Sequence, residues 1–242
     1  MLRFNYCGKT DIGLKRSNNE DIFLIDGERG FCLVADGMGG AAAGELASRV
    51  FAESAAQVFR PATDLDENGV IEQVQNSFRL ANERILHHVQ KNPSHKGMGC
   101  TAELMAISDQ GFVVGHLGDS RTYRFRQGRL KQLTHDHSLI QDQIDKGIIA
   151  PENARGHPLR NVILKAVGIS DNLALDLIRG RTYPEDQFLL CSDGLTDLVD
   201  DDQIHKILQS AADHHQKADQ LINMALSAGG NDNITVVLVD VA

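Results

Sequence analysis

The sequence predicts an α+β fold, a central and largely antiparallel β-sandwich flanked by helix pairs, and three observations predict it. Short runs rich in Val, Ile, Leu and Phe recur between turn residues; polar, Gly-containing connections join some of them as hairpins; and four segments switch to helical period. Each of those helices has one apolar side that must be buried against a sheet face. Strands gathered between two separate helix pairs therefore imply four layers, helices outside and two sheets within.

The strand signals fall at residues 22–25, 31–35, 101–107, 112–117, 173–178, 187–191 and 234–241. Within "TAELMAISDQGFVVGHL" and "RTYRFRQGRLKQL" two runs flank a short polar turn, the pattern of an antiparallel hairpin. Over 43–60, Leu46, Ala47, Val50, Phe51, Ala55, Val58 and Phe59 share one helical face; over 70–91, Val74, Phe78, Ala81, Ile85 and Val89 do so. Ile204, Ile207, Leu208 and Ala211 mark a third helix, and Ala218, Leu221, Ile222 and Ala225 a fourth. The segment 135–168 resists this pattern: a short amphipathic helix leads into a stretch punctuated by Pro, Gly and Asn, which reads as an excursion over a site.

A chain of 242 residues can bury a large core as one domain, and no compositional break divides it. The formal net charge of −9 disfavours nucleic acid and anionic lipid as partners, because both require a basic face. No apolar run reaches a membrane span, and "MLRFNYCGKTDIG" lacks the apolar centre of a secretory signal, so a cytoplasmic location is expected. Cys7, Cys32, Cys100 and Cys191 have no paired spacing and read as reduced packing residues.

The most informative pattern is a repeated one. Apolar runs lead to an aspartate beside glycine or a small polar residue: Asp36 in "FCLVADG", Asp119 in "FVVGHLGDS" and Asp193 in "FLLCSDG", while Asp232 in "GGNDNITVVLV" precedes a strand. Any one Asp-Gly is ordinary turn chemistry. Four carboxylates at the mouths of core strands lose solvation and repel one another, with few lysines nearby to neutralise them. Oxygen ligands of this kind suit a hard divalent cation, Mg²⁺ or Mn²⁺. In "KRSNNED", Arg16 precedes Glu20 and Asp21, and an arginine beside such acids can grip a phosphate through two parallel hydrogen bonds. Metal-activated water plus a phosphate-orienting arginine is phosphohydrolase chemistry.

With those residues in view, the chain resembles the metal-dependent Ser/Thr protein phosphatase family, PP2C (PPM), in its compact bacterial form. The resemblance runs in order through "RSNNED" (16–21), "VADGMGG" (34–40), "GCTA" (99–102), "VGHLGDSRTYRF" (114–125), "THDHSL" (134–139), "CSDGLTD" (191–197) and "GGNDNITVVLV" (229–239). It implies two core metal ions, Mn²⁺ or Mg²⁺, bridged by Asp36 and further held by the Gly37 carbonyl, Asp193 and Asp232. Glu20 and Asp21 would act through water, Arg16 would bind phosphate, and Asp119 with Asp193 would hold a third, weaker ion. Residues 135–168 match the family's flap. The implied reaction is direct hydrolysis of phosphoserine or phosphothreonine, Asp36, Arg16 and Asp232 being its catalytic residues. The implied partners are phosphoproteins, a Ser/Thr kinase and its substrates among them, met by a monomer.

One position departs from the family pattern. Where a histidine commonly follows "DGMGG" as a candidate general acid, this chain has Ala41. An alkoxide leaving group gains from protonation and an acidic phenol does not, so Ala41 predicts better hydrolysis of aryl phosphates than of phosphopeptides. It also leaves open a catalytically weakened phosphoprotein-binding module. A two-metal nuclease or phosphodiesterase is a third reading. His116, His135, His137 and His157 are possible stand-ins for the proton donor, against an ordinary hydrogen-bonded role for each.

Overall fold

The computed structural model describes residues 2–39, 41–60, 66–154 and 156–242, with the side chains of Ala41 and Ala42 outside the description. In chain order it contains β1 (Phe4–Asp11), β2 (Asp21–Asp26), β3 (Phe31–Met38), α1 (Ala41–Phe59), α2 (Glu67–Lys91), β4 (Gly99–Cys100), β5 (Ala102–Ile107) and β6 (Phe112–Leu117). There follow β7 (Arg121–Arg126), β8 (Arg129–Gln132), α3 (Leu139–Asp145), β9 (Asp176–Gly180), β10 (Gln187–Cys191), α4 (Asp193–Thr196), α5 (Asp201–Gln209), α6 (His214–Ser227) and β11 (Ile234–Val241).

Two antiparallel sheets pack face to face. One runs β1-β11-β10-β7-β8, the other β2-β3-β5-β6-β9, with β4 attached to β3. Three apolar clusters make the four layers. Phe51, Phe78 and Ile85 of α1 and α2 meet Leu33, Leu104 and Val113 of the second sheet. Ile204, Leu208, Leu221 and Ala225 of α5 and α6 meet Tyr123, Leu189 and Leu238 of the first. Val34, Met105, Val114, Phe188, Leu190 and Val237 fill the space between the sheets. Alternation along each strand produces this division: on β10, Leu189 and Cys191 face the helices, while Phe188 and Leu190 face the other sheet. Capping boxes, Asp200 with Gln203 and Asp213 with Gln216, set the starts of α5 and α6.

The predicted sandwich and both hairpins are present, and three local expectations are corrected. β3 does not stop before Asp36 but continues through it to Met38, because Gly37 and Met38 pair with Cys100 and Gly99. The run at 173–178 becomes a strand over Asp176–Gly180, where pairing with β6 begins at His116 opposite Asp176. An unforeseen strand, β1, forms at the chain start. Its residues are half-buried or exposed apart from Cys7, so their pattern is faint, and eight register pairs with β11 hold it.

A buried ion pair joins neighbouring strands of the second sheet, and a hydrogen bond ties it to the first. Glu103 of β5 contacts His116 Nδ1 of β6, both side chains being fully buried, and accepts a hydrogen bond from Thr122 of β7. His116 Nε2 donates to the His135 carbonyl at 2.9 Å, at the root of the 135–168 excursion. Burial alone would lower the imidazole pKa, but the Glu103 charge and hydrogen bond push it up to about 9. Removing one partner strands the other. Glu103→Leu is expected to lose about 3–5 kcal/mol, whereas Glu103→Leu combined with His116→Phe recovers most of that loss, as read by urea unfolding.

Candidate metal centre

The acids gather at one end of the sandwich, each delivered by a different element. Asp21 opens β2 and stands opposite Asp36 in register, so a single hairpin places two carboxylates side by side. Asp193 is the first residue of α4, Asp119 follows β6 after Gly118, and Asp232 precedes β11. The turn at Gly118 requires glycine: its φ is +113°, and a Cβ there would lie 2.5 Å from Thr101 Cβ. Gly37 is equally constrained, since a Cβ would strike the Gly44 carbonyl; the Gly37 amide donates to the Glu20 carbonyl at 3.1 Å.

Close supports fix these side chains. Ser192 Oγ donates to Asp21 Oδ2 at 2.7 Å and accepts from the Thr235 amide at 3.0 Å. Asn233 Oδ1 accepts from the Glu20 amide at 2.8 Å, while its Nδ2 donates to the carbonyls of Ile12 and Asn18. The Asp36 amide donates to Thr101 Oγ1, which is bonded to Ser120 Oγ at 2.6 Å. Arg121 grips Asp136 with Nε and Nη2, the shortest contact being 2.6 Å. Sequence reasoning did not single out Ser192, Asn233, Arg121 or Asp136. The polar break inside apolar runs, as at "CSDG" and "NDNITV", was the available signal.

The electrostatics are those of a site short of positive charge. Burial raises the Asp21 pKa to about 6 and the Asp119 pKa to about 7, the Asp136 charge adding to the latter. Asp36 and Asp193 stand well above the usual carboxylate range, through burial and then the charges of Asp21 and Asp119 respectively. Both residues are partly exposed, and Asp193 lines the adjoining cavity. Three carboxylate oxygens, Asp21 Oδ1, Asp119 Oδ1 and Asp193 Oδ1, are buried without a hydrogen-bond partner. Such atoms are costly in a native fold unless something else satisfies them. An all-oxygen set with orphaned lone pairs fits a hard divalent cation. Among the described residues, no three His, Cys, Asp or Glu side chains stand together as a ready ligand set.

Arg16 is half-exposed and donates from Nη2 to Asp232 Oδ2 at 2.6 Å, so the structure brings it to the acid cluster. Glu20 is buried beside Gly44, where a Cβ would collide with its carboxylate. The Ala41 side chain lies outside the described residues. Of the histidines, His116 serves the buried ion pair. His137 Nδ1 accepts from the Gly118 amide and Nε2 faces Asp176 at 3.2 Å; burial pushes its pKa down to about 4, leaving it neutral at pH 7. His135 pairs with Asp145, and His157 Nδ1 accepts from the Leu159 amide. All four cysteines are free and buried, and burial raises the Cys191 thiol far above its ordinary value, which leaves it no part as a nucleophile.

A cavity of about 100 Å³ opens beside the acids, lined by Asp119, Arg121, Asp136, Arg160, Asp193 and Asp197. The 135–168 excursion forms one wall of it through α3, whose start is capped by Ser138. Beyond α3 the excursion and the residue after it expose Ile148, Leu159, Val162, Leu164 and Ile169.

Comparison with known proteins agrees with this geometry. A family profile described as Protein phosphatase 2C matches residues 14–234. The serine/threonine protein phosphatase PstP of Mycobacterium tuberculosis is 39% identical over 242 residues, covering 99% of this chain; the chain spans only 45% of PstP's length. The serine/threonine phosphatase stp of Listeria innocua is 35% identical over 236 residues, covering 96% of this chain and 94% of its own. Among solved structures, the catalytic domain of PstP in complex with two manganese ions superposes with a TM-score of 0.91 at 34% identity, covering 100% of both chains. By sequence, fold and the residues gathered at the end of its sandwich, this chain belongs to the protein phosphatase 2C family.

Proposed function

We propose that residues 1–242 form one metal-dependent protein Ser/Thr phosphatase domain that uses two Mn²⁺ or Mg²⁺ ions and a third, weaker one. The observation that carries the reading is the set of orphaned, buried oxygens on Asp21, Asp119 and Asp193 around Asp36. Bound ions would supply Lewis-acid charge and lower the pKa of water. Asp36, Asp193, Asp232 and the Gly37 carbonyl would hold the two core ions, Asp119 with Asp193 the third, and Glu20 and Asp21 would hydrogen-bond the surrounding water. Ser192 keeps Asp21 aimed by engaging one of its two oxygens. Arg16, on the rim and already bonded to Asp232, is placed to turn its remaining donors to a phosphoryl group. Residues 135–168 act as a flap whose exposed aliphatic side chains contact a protein substrate. Among the described residues no helix is long and apolar enough to cross a membrane. Cytoplasmic phosphoproteins, including a Ser/Thr kinase and its targets, are the substrates this reading assigns to a monomeric enzyme.

Ala41 favours a second reading, a weakened phosphoprotein binder, and one panel separates the two. Phosphothreonine peptides, an aryl phosphate and a phosphodiester are assayed with Mn²⁺ and with Mg²⁺, using Asp193→Asn as control. The phosphatase reading predicts metal-dependent turnover of the monoesters, with the aryl ester fastest. It fails if wild type is no faster than the control, and a preference for the diester assigns the site to phosphodiesterase chemistry. Ala41→His is expected to raise peptide turnover by about 10²-fold and aryl turnover little. Equal gains on both would overturn the proton-donor account.

A further inference from the structure

The β7–β8 hairpin concentrates positive charge in a chain of formal net charge −9. Register pairs Arg124 with Lys131 and Arg126 with Arg129, two like-charge pairs directly opposite one another, an arrangement that destabilises an isolated hairpin. Phe125 and Leu130 belong to the cluster under α5 and α6, so all four cations share the other face, toward the second sheet. The turn between them is tight. Gln127 and Gly128 both have positive φ, 49° and 71°, and His205 of α5 donates to the Gly128 carbonyl at 2.9 Å.

Of the four, Arg126 is fully occupied. It binds Asp186 through two nitrogens, donates to the Arg181 carbonyl at 2.8 Å and lies 4.5 Å from the centre of the Tyr183 ring. Arg124, Arg129 and Lys131 make no ion pair among the described residues. The Arg124 Nε is buried without any acceptor. A single lysine on an edge strand is a common guard against aggregation, and β8 is the edge of its sheet. That explanation accounts for Lys131 but not for a partly buried, unsatisfied Arg124 or for two opposed pairs on one face.

The patch also has a direction. β7 starts at Arg121, whose side chain lines the cavity beside Asp119 from the helix-covered face, and at about 3.3 Å per residue the Arg124 and Arg126 rungs, on the other face, lie roughly 10 to 17 Å further along the strand. We propose that this face of the hairpin docks an acidic segment of the phosphoprotein substrate, about three to five residues from the phosphorylated side chain. A short acidic peptide suits the three cations that lack an ion pair, Arg124, Arg129 and Lys131. A nucleic-acid strand fits less well, since continuing along β7 would carry its phosphates into Asp119, Asp136, Asp193 and Asp197. The substrate part of this inference rests on the phosphatase reading.

Two measurements test it on the whole chain. Phosphothreonine peptides carrying Glu-Asp-Glu at that distance on either side are compared with Gln-Asn-Gln controls, using wild type and the exposed double variant Arg129→Glu, Lys131→Glu. Wild type should favour one acidic peptide about tenfold in kcat/KM at low salt. The variant should lose that preference with aryl phosphate turnover unchanged; no preference, or one that persists in the variant, overturns the proposal. Fluorescence anisotropy of the unphosphorylated acidic peptide gives the independent reading. Binding by wild type but not by the variant supports docking even if no substrate turns over, a result that would sink only the phosphatase reading. Binding of a single-stranded oligonucleotide in place of the peptide would overturn docking itself.

Discussion

Asp36→Asn is expected to lower metal-dependent turnover by about 10³-fold or more while making the metal-free protein more stable at pH 7.5. The opposite signs come from one cause. Asp36 faces Asp21 across the β2–β3 ladder and feels Asp193, Asp119 and Asp232, so its charge is unfavourable until a cation arrives. Asparagine keeps the shape, removes the charge and relieves the neighbours, which raises the denaturation midpoint. Parallel denaturation and turnover assays check both halves. A variant that is inactive and less stable would mean that Asp36 supports the fold and is not a strained ligand.

The second large effect is on the pH dependence of stability. Asp21 and Asp119 titrate near 6 and 7 in the fold against about 3.8 for an unperturbed carboxyl. Between those values the native state holds more protons than the unfolded chain, so metal-free stability is greatest below about pH 4 as far as these groups decide it. It is then lost as pH rises through 6 and 7. Mn²⁺ should reverse the loss. At a hundredfold excess over Kd it contributes about 2.7 kcal/mol per site, a rise of roughly 5 to 10 °C in Tm at pH 8. At pH 5, where protons compete for the same oxygens, the rise should be much smaller. A thermal-shift series across pH 5 to 8 with and without Mn²⁺ would count against the account if the shift were flat or reversed.

Most of the sandwich and the principal acids could be read from the chain, for a local reason. Asp36, Asp119, Asp193 and Asp232 each adjoin a buried apolar run, so residue type and position appear within one short window. What escaped depends on distant pairing. Ser192 supports Asp21 across 171 residues, and Asn233 reaches Glu20 across 213, relations that no window contains. β1 escaped because its half-buried residues gain strand character from β11, at the far end of the chain. The continuation of β3 beyond Asp36 likewise depends on Gly99 and Cys100, which glycine-rich local sequence does not announce. The local pattern singled out the acids and the resemblance gave them roles, whereas the unsatisfied oxygens became visible only once the strands had brought them together.

Whether these carboxylates bind divalent cations is read by Mn²⁺ titration calorimetry at pH 6.5. The account predicts at least two saturable sites with release of protons on binding, because carboxyls held near 6 and 7 must ionise to accept the ions. Asp36→Asn and Asp193→Asn should each remove or severely weaken a site. Absence of saturable binding, or binding unchanged in both variants, would contradict it.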